Sequence, residues 1–408
     1  MQNKTTPQIS PKLVWTMAVA CGLTVANLYY NQPLLGQIKH SLGVSVSAIG
    51  LIPFFTQLGY AIGLLGFVPL GDFIQGRKLI VGLLALESGS LMVASISSNL
   101  FVLSIATFAI GVFTVIPQIL IPLAANLAPP DKRGQIVGLL MGGLLVGILL
   151  ARTLSGFIGS YYGWRSVYIV AAIIMFLLIG ILYKLLPEIE LSPSKGYLTI
   201  LKSLWEIVWS EKTIRESSLY GAMGFGAFSA FWATLIFLVT TPPYHYGVQE
   251  AGLFGLVGVV GAIAAPLVGK IADKKGPLIT IGISLTIITL SFVVLMFFGY
   301  NILGLIIGVI LLDLGVQANQ VSNQTRIYAI GPKIRNRLTT IYMFSYFIGG
   351  AAGSYFAAFA WSVDRWQGVT FVGIVFMAVA ILRFIISIFS KNTNNKAHSS
   401  LTSFSSNS

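Results

Sequence analysis

The chain has 408 residues, of which 56% are hydrophobic and only 9% are charged, and its net charge at pH 7 is +13. Soluble globular proteins carry about 25% charged residues, so this composition excludes an ordinary soluble enzyme. The 43 glycines follow no collagen-like period, and 12% aromatic residues are too many for a disordered chain. The composition therefore indicates a protein that crosses a membrane several times.

Twelve segments are long and apolar enough to span a bilayer, which needs about 20 residues per helix. The predicted spans cover 12–33, 48–71, 78–98, 101–127, 135–160, 164–186, 217–241, 250–271, 277–299, 302–326, 338–361 and 369–390. We therefore expect an all-α membrane protein with twelve transmembrane helices.

The basic residues indicate how these spans are oriented. If the N-terminus is cytoplasmic, 21 of the 25 Lys and Arg residues fall on the cytoplasmic side. Only Lys39, Arg165 and Arg365 fall outside, and Arg152 lies within the membrane. This bias follows the positive-inside rule and predicts that both termini are cytoplasmic. The positive charge thus reflects topology, and a nucleic-acid partner is not expected.

One connection, 187–216, is longer than the others and becomes amphipathic in its second part. Its apolar residues Leu201, Leu204, Trp205 and Val208 recur at helical spacing within 197–210. This pattern is typical of a helix that lies on the membrane surface. A simple linker helix fits the same residues equally well.

The two halves of the chain repeat each other. Asp72 and Asp273 occupy similar polar loops, which follow spans 2 and 8, and lie 201 residues apart. Three further pairs share an offset of 202 residues: Arg133 with Arg335, Gly147 with Gly349, and Trp164 with Trp366. Such a repeat indicates two six-helix halves that arose by duplication. We expect an N-terminal half at 1–186, a cytoplasmic loop at 187–216, a C-terminal half at 217–390 and a disordered tail at 391–408.

These features together resemble the major facilitator superfamily of secondary transporters. The segment Gly269-x3-Asp273-Lys274-x-Gly276 fits the loop signature of that family, a Gly-x3-Asp-Arg/Lys-x-Gly pattern. The copy in the first half departs from it, because Val68 replaces the first glycine and Phe73 stands where an Arg is usual. The resemblance implies two six-helix halves that alternate the access of one central site.

Two short segments look like the bacterial exporter-type branches of the superfamily. They are Tyr29-Tyr30-Asn31-Gln32-Pro33 and Gly163-Trp164-Arg165. The drug–proton antiporters of the family carry an Arg in helix 4 and a Gly-Pro pair in helix 5. Here Thr107 occupies the Arg position and Ile148 follows Gly147, which leaves the coupling mechanism open.

The resemblance implies that the two signature loops gate transport. A carboxylate at such a helix end can accept backbone N–H groups from a neighbouring helix N-terminus. The expected gating residues are Asp72, Arg77, Lys78, Gly269, Asp273, Lys274 and Gly276. The alternative is that these residues are topology-setting charges beside tight turns.

Small residues recur every fourth position in spans 5 and 11, where they allow helix backbones to approach closely. They include Gly143, Gly147, Gly349 and Gly353. The resemblance implies that spans 2, 5, 8 and 11 face each other across the two halves. We therefore expect these four glycines to pack between the halves, although static packing explains the stripe as well.

Three ionisable residues fall deep within the spans. Glu87 lies ~14 Å into span 3 and Asp313 lies ~17 Å into span 10, at ~1.5 Å per residue. Arg152 lies nearer the outer side of span 5. A charge at such depth is costly unless it is paired, protonated or exposed to water. We expect Asp313 or Glu87 to take up a coupling proton, because a carboxyl group removed from water binds a proton more readily. Arg152 would bind an anionic group or pair with a carboxylate, and the alternative for all three is a structural role.

Amides and aromatic residues supply a candidate substrate cavity within the same spans. Span 10 carries Gln317, Gln320 and Gln324 on the face of Asp313, since they follow it at helical spacing. The predicted cavity residues are Asn27, Tyr30, Gln57, Gln118, Arg152, Trp232, Gln317 and Gln320. For each amide taken singly, an interhelical hydrogen bond is the alternative. Such a cavity suits a polar neutral or amphiphilic small molecule.

No ATP-binding loop, metal cluster or nucleophile pair is present in the sequence. Cys21 is the only cysteine, and the three histidines, His40, His245 and His398, are scattered outside the spans. We expect no cofactor, no metal and no enzymatic activity. The chain is expected to be a monomeric secondary transporter of the bacterial inner membrane, whose partners are a small molecule, protons and lipid. Proton-coupled efflux by antiport is the favoured function; an importer or facilitator of a sugar or organic acid, and a non-transporting sensor, are the alternatives.

Overall fold

The computed structural model is helical almost throughout the residues that it describes. Those residues are 10–129, 131–188, 196–258, 276–331 and 334–405, and the side chains of Asp72 and of residues after 389 are not described. Within these ranges the chain forms helices and turns, without a β-strand.

The first half contains nine α-helices and one 3₁₀ turn among the described residues. They are α1 Pro11–Ala26, α2 Asn31–Leu42, α3 Val46–Ile49, α4 Leu51–Gly66, the 3₁₀ turn Pro69–Asp72, α5 Gly76–Ile96, α6 Leu100–Phe113, α7 Ile116–Leu127, α8 Arg133–Tyr162 and α9 Trp164–Leu185. The rest of the described chain contains α10 Tyr197–Ser210, α11 Lys212–Val239, α12 at 248–258, α13 Pro277–Phe298, α14 Ile302–Tyr328 and α15 Arg335–Ser405.

Ten helical stretches of the described chain are long and apolar enough to cross a membrane. The last of them, Arg335–Phe389, matches two predicted spans, because the helical dihedral angles break at Asp364 and Arg365. The predicted span 250–271 lies mostly outside the described residues. Large apolar side chains such as Phe101, Phe176 and Phe297 are exposed on the helix surfaces, which is the pattern that a surrounding bilayer requires. The structure is therefore consistent with the twelve predicted spans.

Two of the spans are broken near their middle. The first predicted span divides into α1 and α2 around the turn at 27–30, and the fourth divides into α6 and α7 at Thr114 and Val115. Pro33 and Pro117 lie just beyond the two breaks, and proline has no N–H to bond to the carbonyl four residues earlier. The missing hydrogen bonds explain why both helices bend at these points.

The glycine stripes pack within each half, which corrects the prediction that they pack between the halves. Gly143 and Gly147 of α8 face the backbone of α1 at Ala18 and Gly22. In the second half, the corresponding glycines of α15 face the backbone of α11: Gly349 lies against Ala222, and Gly353 against Gly226. A Cβ atom on any of the four glycines would collide with the facing backbone. The stripes therefore fix two rigid helix pairs, and the prediction failed because spacing shows close packing without identifying the partner.

Contacts between the halves cluster at one end of the bundle, the far end, which lies opposite the start of α1. Four pairs of described helices meet there: α2 with α11, α3 with α15, α4 with α15, and α8 with α12. The Thr153 hydroxyl of α8 donates to the carbonyl of Gly252 in α12 at 3.0 Å. Phe54 of α4 and Tyr355 of α15 bring their rings within 5.7 Å of each other. The far end is thus closed by direct contacts between the two halves.

The predicted amphipathic helix is present as α10, Tyr197–Ser210. Leu204 is buried, whereas Trp205 and Trp209 are each 65% exposed and their rings touch edge to face. The exposed indoles agree with a helix at a membrane surface, and the linker alternative fits the same helix.

The tail differs from its prediction. The backbone of α15 continues to Ser405, whereas a disordered tail was expected from 391. Extending an existing helix needs no new nucleation, so even a Ser/Asn-rich segment can continue it.

A cluster of charges surrounds the buried Glu216 in the second half. Its Oε1 lies 3.0 Å from Nη2 of Arg383, and its other oxygen lies 2.6 Å from Arg326. Sequence analysis missed this cluster, because Glu216 lies just outside the predicted span 217–241.

Candidate functional site

Arg152 lies buried between the two halves, where aromatic rings surround it. Its Nε donates to Oε1 of Gln32 at 2.6 Å. The guanidinium carbon lies 4.0 Å from the ring centre of Trp232, 4.9 Å from that of Tyr29 and 5.5 Å from that of Phe228. Each contact places the cation over the electron-rich face of a ring, which is favourable when water is excluded. The aromatic wall predicted at Trp232 therefore surrounds the predicted buried arginine.

Local structure explains how these side chains converge. Tyr29 belongs to the turn between α1 and α2, and Gln32 lies in the first turn of α2, so the break aims both at α8. Phe228 and Trp232 are four residues apart on α11 and share one helix face. Arg152 and Gln32 come from the first half, whereas Trp232 and Phe228 come from the second. The site therefore exists only where the halves meet.

A small cavity adjoins the guanidinium at this junction. Its volume is about 10 Å³, which is room for about one water molecule. The lining residues are Gln32, Pro33, Arg152, Trp232, Leu235, Ile236 and Ala251. Both halves contribute to the lining, so the cavity opens or changes shape whenever the halves separate at the far end.

Asp313 faces Arg152 from α14 without forming a direct ion pair with it. The carboxylate is 5% exposed, and its Oδ2 has no hydrogen-bond partner within the described part of the chain. It interacts electrostatically with Arg152, while the backbone of Gly258 in α12 lies against its other oxygen. The predicted proton site and the predicted anion site are thus neighbours, with α12 packed beside both.

Glu87 accepts hydrogen bonds from residues at the breaks of both broken spans. Its Oε1 lies 2.7 Å from Nδ2 of Asn27 and 2.6 Å from the hydroxyl of Thr114. Asn27 follows the last residue of α1, and Thr114 follows the last residue of α6. The other oxygen, Oε2, is buried without a partner. Glu87 therefore fixes the relative position of two helix breaks inside the first half.

The predicted cavity amides divide into two groups. Gln57 crosses between the halves, since its Nε2 donates to the hydroxyls of Ser229 at 3.2 Å and Ser354 at 3.3 Å. Gln118 donates to the Tyr60 hydroxyl at 3.3 Å, within the first half. Gln317 and Gln320 remain half-buried on α14. Asn27 binds Glu87 as described, and Tyr30 is buried at the break.

An aromatic column fills the middle of the junction, and sequence analysis did not predict it. The Phe225 ring stacks on Tyr346 with centres 4.0 Å apart and planes at 17°. Phe347 lies beside them and touches Tyr60 of the first half, with ring centres 4.2 Å apart.

Sequence analysis named Tyr29 and Gln32 only within a segment that resembles exporters. Polar residues next to a proline in an apolar span were nevertheless a usable signal for them. Thr114 gave no such signal.

The gating role of the two signature loops remains a prediction. Arg77 pairs with Glu188 at 2.6 Å and lies over the Tyr183 ring, so its described contacts are with α9 and the start of the loop that follows it. Lys78 is exposed. Gly276 precedes α13 with φ of 87°, a conformation that favours glycine. The side chain of Asp72, and all of Gly269, Asp273 and Lys274, lie outside the described residues.

Comparison with known proteins identifies the class to which this fold belongs. The sequence pattern of the Major Facilitator Superfamily matches residues 17–354. The chain belongs to this superfamily and is a membrane transporter of that type, which confirms the resemblance and the all-α fold. It is therefore a multi-pass integral membrane protein.

Individual relatives agree with this assignment. The uncharacterized transporter YgaY of Escherichia coli O157:H7 is 43% identical over 93% of this chain and 96% of that protein. A probable sugar efflux transporter of Pasteurella multocida is 24% identical over 87% of this chain and 86% of that protein. Among solved structures, a bacterial homolog of the human lysosomal transporter Spinster, inward-facing and unoccupied, matches with a TM-score of 0.76. It covers 91% of this chain and 95% of its own at 16% identity, so the likeness concerns the fold.

Proposed function

We propose that the protein exports a small organic molecule from the bacterial cytoplasm in exchange for protons, by alternating access between its two halves. One observation carries the proposal: two buried ionisable groups with unpartnered atoms, Arg152 of the first half and Asp313 of the second, interact electrostatically. Charges at this depth are costly and mark solute or proton pathways in membrane proteins. The outward direction draws support from the relative named a sugar efflux transporter.

The closed far end supports alternating access. If the termini are cytoplasmic, as the basic residues predict, the far end faces outward and the described contacts close that side. Transport then requires the contacts at Gln57, Thr153 and Phe54 to break while the opposite ends of the halves approach. The rigid glycine-packed pairs, α1 with α8 and α11 with α15, would move as units during this change.

Proteoliposomes that contain a pH-sensitive dye test the coupling. Membrane-impermeant sugars and organic acids are added outside, and the lumenal pH is followed. Antiport predicts that a transported solute makes the lumen more alkaline, because protons leave as the solute enters. Asp313→Asn and Glu87→Gln should abolish this change, whereas Glu206→Gln, on an exposed face of α10, should not. If solute flux ignores an imposed pH gradient and both variants transport normally, the coupling proposal fails.

A second candidate, transport of an organic acid together with protons, is favoured by Arg152. The guanidinium keeps one nitrogen without a partner, although it lies close to the Asp313 carboxylate. A proton on Asp313 removes the competing negative charge and would favour a solute anion at Arg152. Proton and acid would then move in the same direction. The same vesicles distinguish the candidates, because this mode makes the lumen more acidic when an organic acid is added outside.

A further inference from the structure

Two buried hydrogen-bond donors at the junction have no acceptor among the described residues. They are Nη2 of Arg152 and Nε1 of Trp232. Arg152 is 1% exposed and Trp232 is 2% exposed, so bulk water satisfies neither. Both residues line the same small cavity, one from each half of the molecule. Residues that carry unpartnered donors therefore line the cavity from both halves.

An acceptor in the cavity would lower the free energy of this arrangement. A buried donor left unsatisfied costs about 1–3 kcal/mol, and more when it is charged. The acceptor that Gln32 offers through Oε1 is already used by Nε of Arg152. The remaining lining residues, Pro33, Leu235, Ile236 and Ala251, have apolar side chains. Among the described residues no free side-chain acceptor lines the cavity, so a bound molecule can supply the missing partner.

The charge of the site selects an anion over a neutral acceptor. Arg152 carries a full positive charge in surroundings of low dielectric constant, and Asp313 does not reach it to form an ion pair. A hydrogen bond that joins two charged groups is roughly twice as strong as a neutral one. A water molecule would satisfy the donors but would leave the Arg152 charge balanced only by the Asp313 carboxylate, which forms no direct ion pair with it. The volume of about 10 Å³ admits one oxygen atom of a larger group.

We propose that Arg152 and Trp232 form a subsite for the carboxylate of a small organic acid, whose oxygen accepts from Arg152 Nη2 and Trp232 Nε1. The inference rests on the proposed transport function, and it selects the organic-acid candidate over a neutral solute. It adds Trp232 as a residue that determines specificity through its N–H group.

Carboxylate binding at the subsite also depends on how the two halves are arranged. Arg152 and Gln32 belong to the first half, and Trp232 belongs to the second. A carboxylate that bridges Arg152 and Trp232 therefore binds only while the far end is closed. A ligand that binds one state of a two-state protein shifts the population toward that state. The acid is expected to stabilise the closed far end.

Binding to the purified full-length protein tests the proposal without any transport. The unfolding temperature and the tryptophan fluorescence are measured against acetate and benzoate in a constant sodium sulfate background. Acetamide and benzamide serve as neutral molecules of matched shape, and chloride serves as a small inorganic anion. We expect the two carboxylates to raise the unfolding temperature in a saturable manner, with no effect of the amides.

Two variants locate the binding. Trp232→Phe keeps an aromatic ring over Arg152 and removes only the N–H donor. The loss of one hydrogen bond to a charged group predicts at least a roughly tenfold weaker affinity for the carboxylates. Trp205→Phe, on the exposed face of α10, is the matched control and should bind normally. Arg152→Gln should abolish binding, and Arg152→Lys should retain part of it because it keeps the charge.

Three results would overturn the subsite. They are equal effects of acids and amides, an affinity unchanged by Trp232→Phe in a folded protein, and a response to chloride that matches the response to carboxylates. Because the measurement needs no flux, its failure would leave vesicle transport intact. Conversely, carboxylate binding without any solute flux would refute the transport proposal alone.

Discussion

The hydrogen bonds around Glu87 limit which side chains can replace it. Its Oε1 accepts from two buried donors, and its Oε2 has no partner. One acceptor oxygen is thus sufficient for the hydrogen bonds that the structure contains. A neutral side chain with one carbonyl oxygen can keep both bonds, whereas an apolar side chain keeps neither.

We therefore predict opposite results for two substitutions of Glu87. Glu87→Gln should change the free energy of unfolding by less than about 1 kcal/mol, because its amide oxygen still accepts from Asn27 and Thr114. Glu87→Leu should cost about 1–3 kcal/mol, because it leaves the buried Asn27 amide without its acceptor, whereas the Thr114 hydroxyl can still donate to the Ile110 carbonyl. Thermal unfolding of the purified variants measures both. Equal stability of the two variants would show that the hydrogen bonds contribute little.

The charged residues of the site were visible in the sequence, but most of their partners were not. Glu87, Arg152 and Asp313 could be found because a charge inside an apolar span is rare. Thr114 and Gln32 could not be assigned as partners, because the contacts join residues 27 and 120 positions apart. Such pairs depend on which helix faces meet, and this is a property of the tertiary fold.

At the level of helices, the sequence located the spans of the described residues but misassigned the partners of the glycine stripes. Gly147 faces Gly22 within the first half, so it belongs to a fixed contact. Gly142, five residues earlier on α8, has no atom within 4 Å of the position that a Cβ would occupy. Two glycines of one helix therefore differ in what they face.

This difference predicts the outcome of matched substitutions. Gly147→Ala should lower the unfolding temperature substantially, because its methyl group meets the backbone of α1. Gly142→Ala should leave the temperature unchanged or raise it slightly, since alanine favours helix more than glycine does. If Gly147→Ala instead altered only transport rates with full stability, the stripe would lie at a moving interface as the sequence first suggested.

At the scale of the whole molecule, the closed far end defines the state that the structure captures. Phe54 and Tyr355 face each other there from the two halves. Alternating access requires this pair to separate during every transport cycle. A covalent link between the two positions should therefore stop transport.

Cross-linking tests this expectation. Phe54→Cys with Tyr355→Cys, in a Cys21→Ala background, should be joined by a short thiol-reactive cross-linker. We expect the linked protein to lose transport in vesicles. Each single cysteine variant should be unaffected, and a cleavable linker should restore activity on reduction. Full transport by the linked protein would exclude alternating access through this end.

The shared acceptor at Glu87 has a consequence for how mutational effects combine. The bends of the first and fourth spans lie on separate helices, yet both depend on one oxygen atom. Removing Asn27 or Thr114 alone leaves Glu87 with one donor, while removing both leaves the buried carboxylate with none. The double variant Asn27→Ala, Thr114→Ala should therefore be less stable than the sum of the single losses predicts, by about 0.5–3 kcal/mol. A strictly additive result would mean that the two bends are energetically independent.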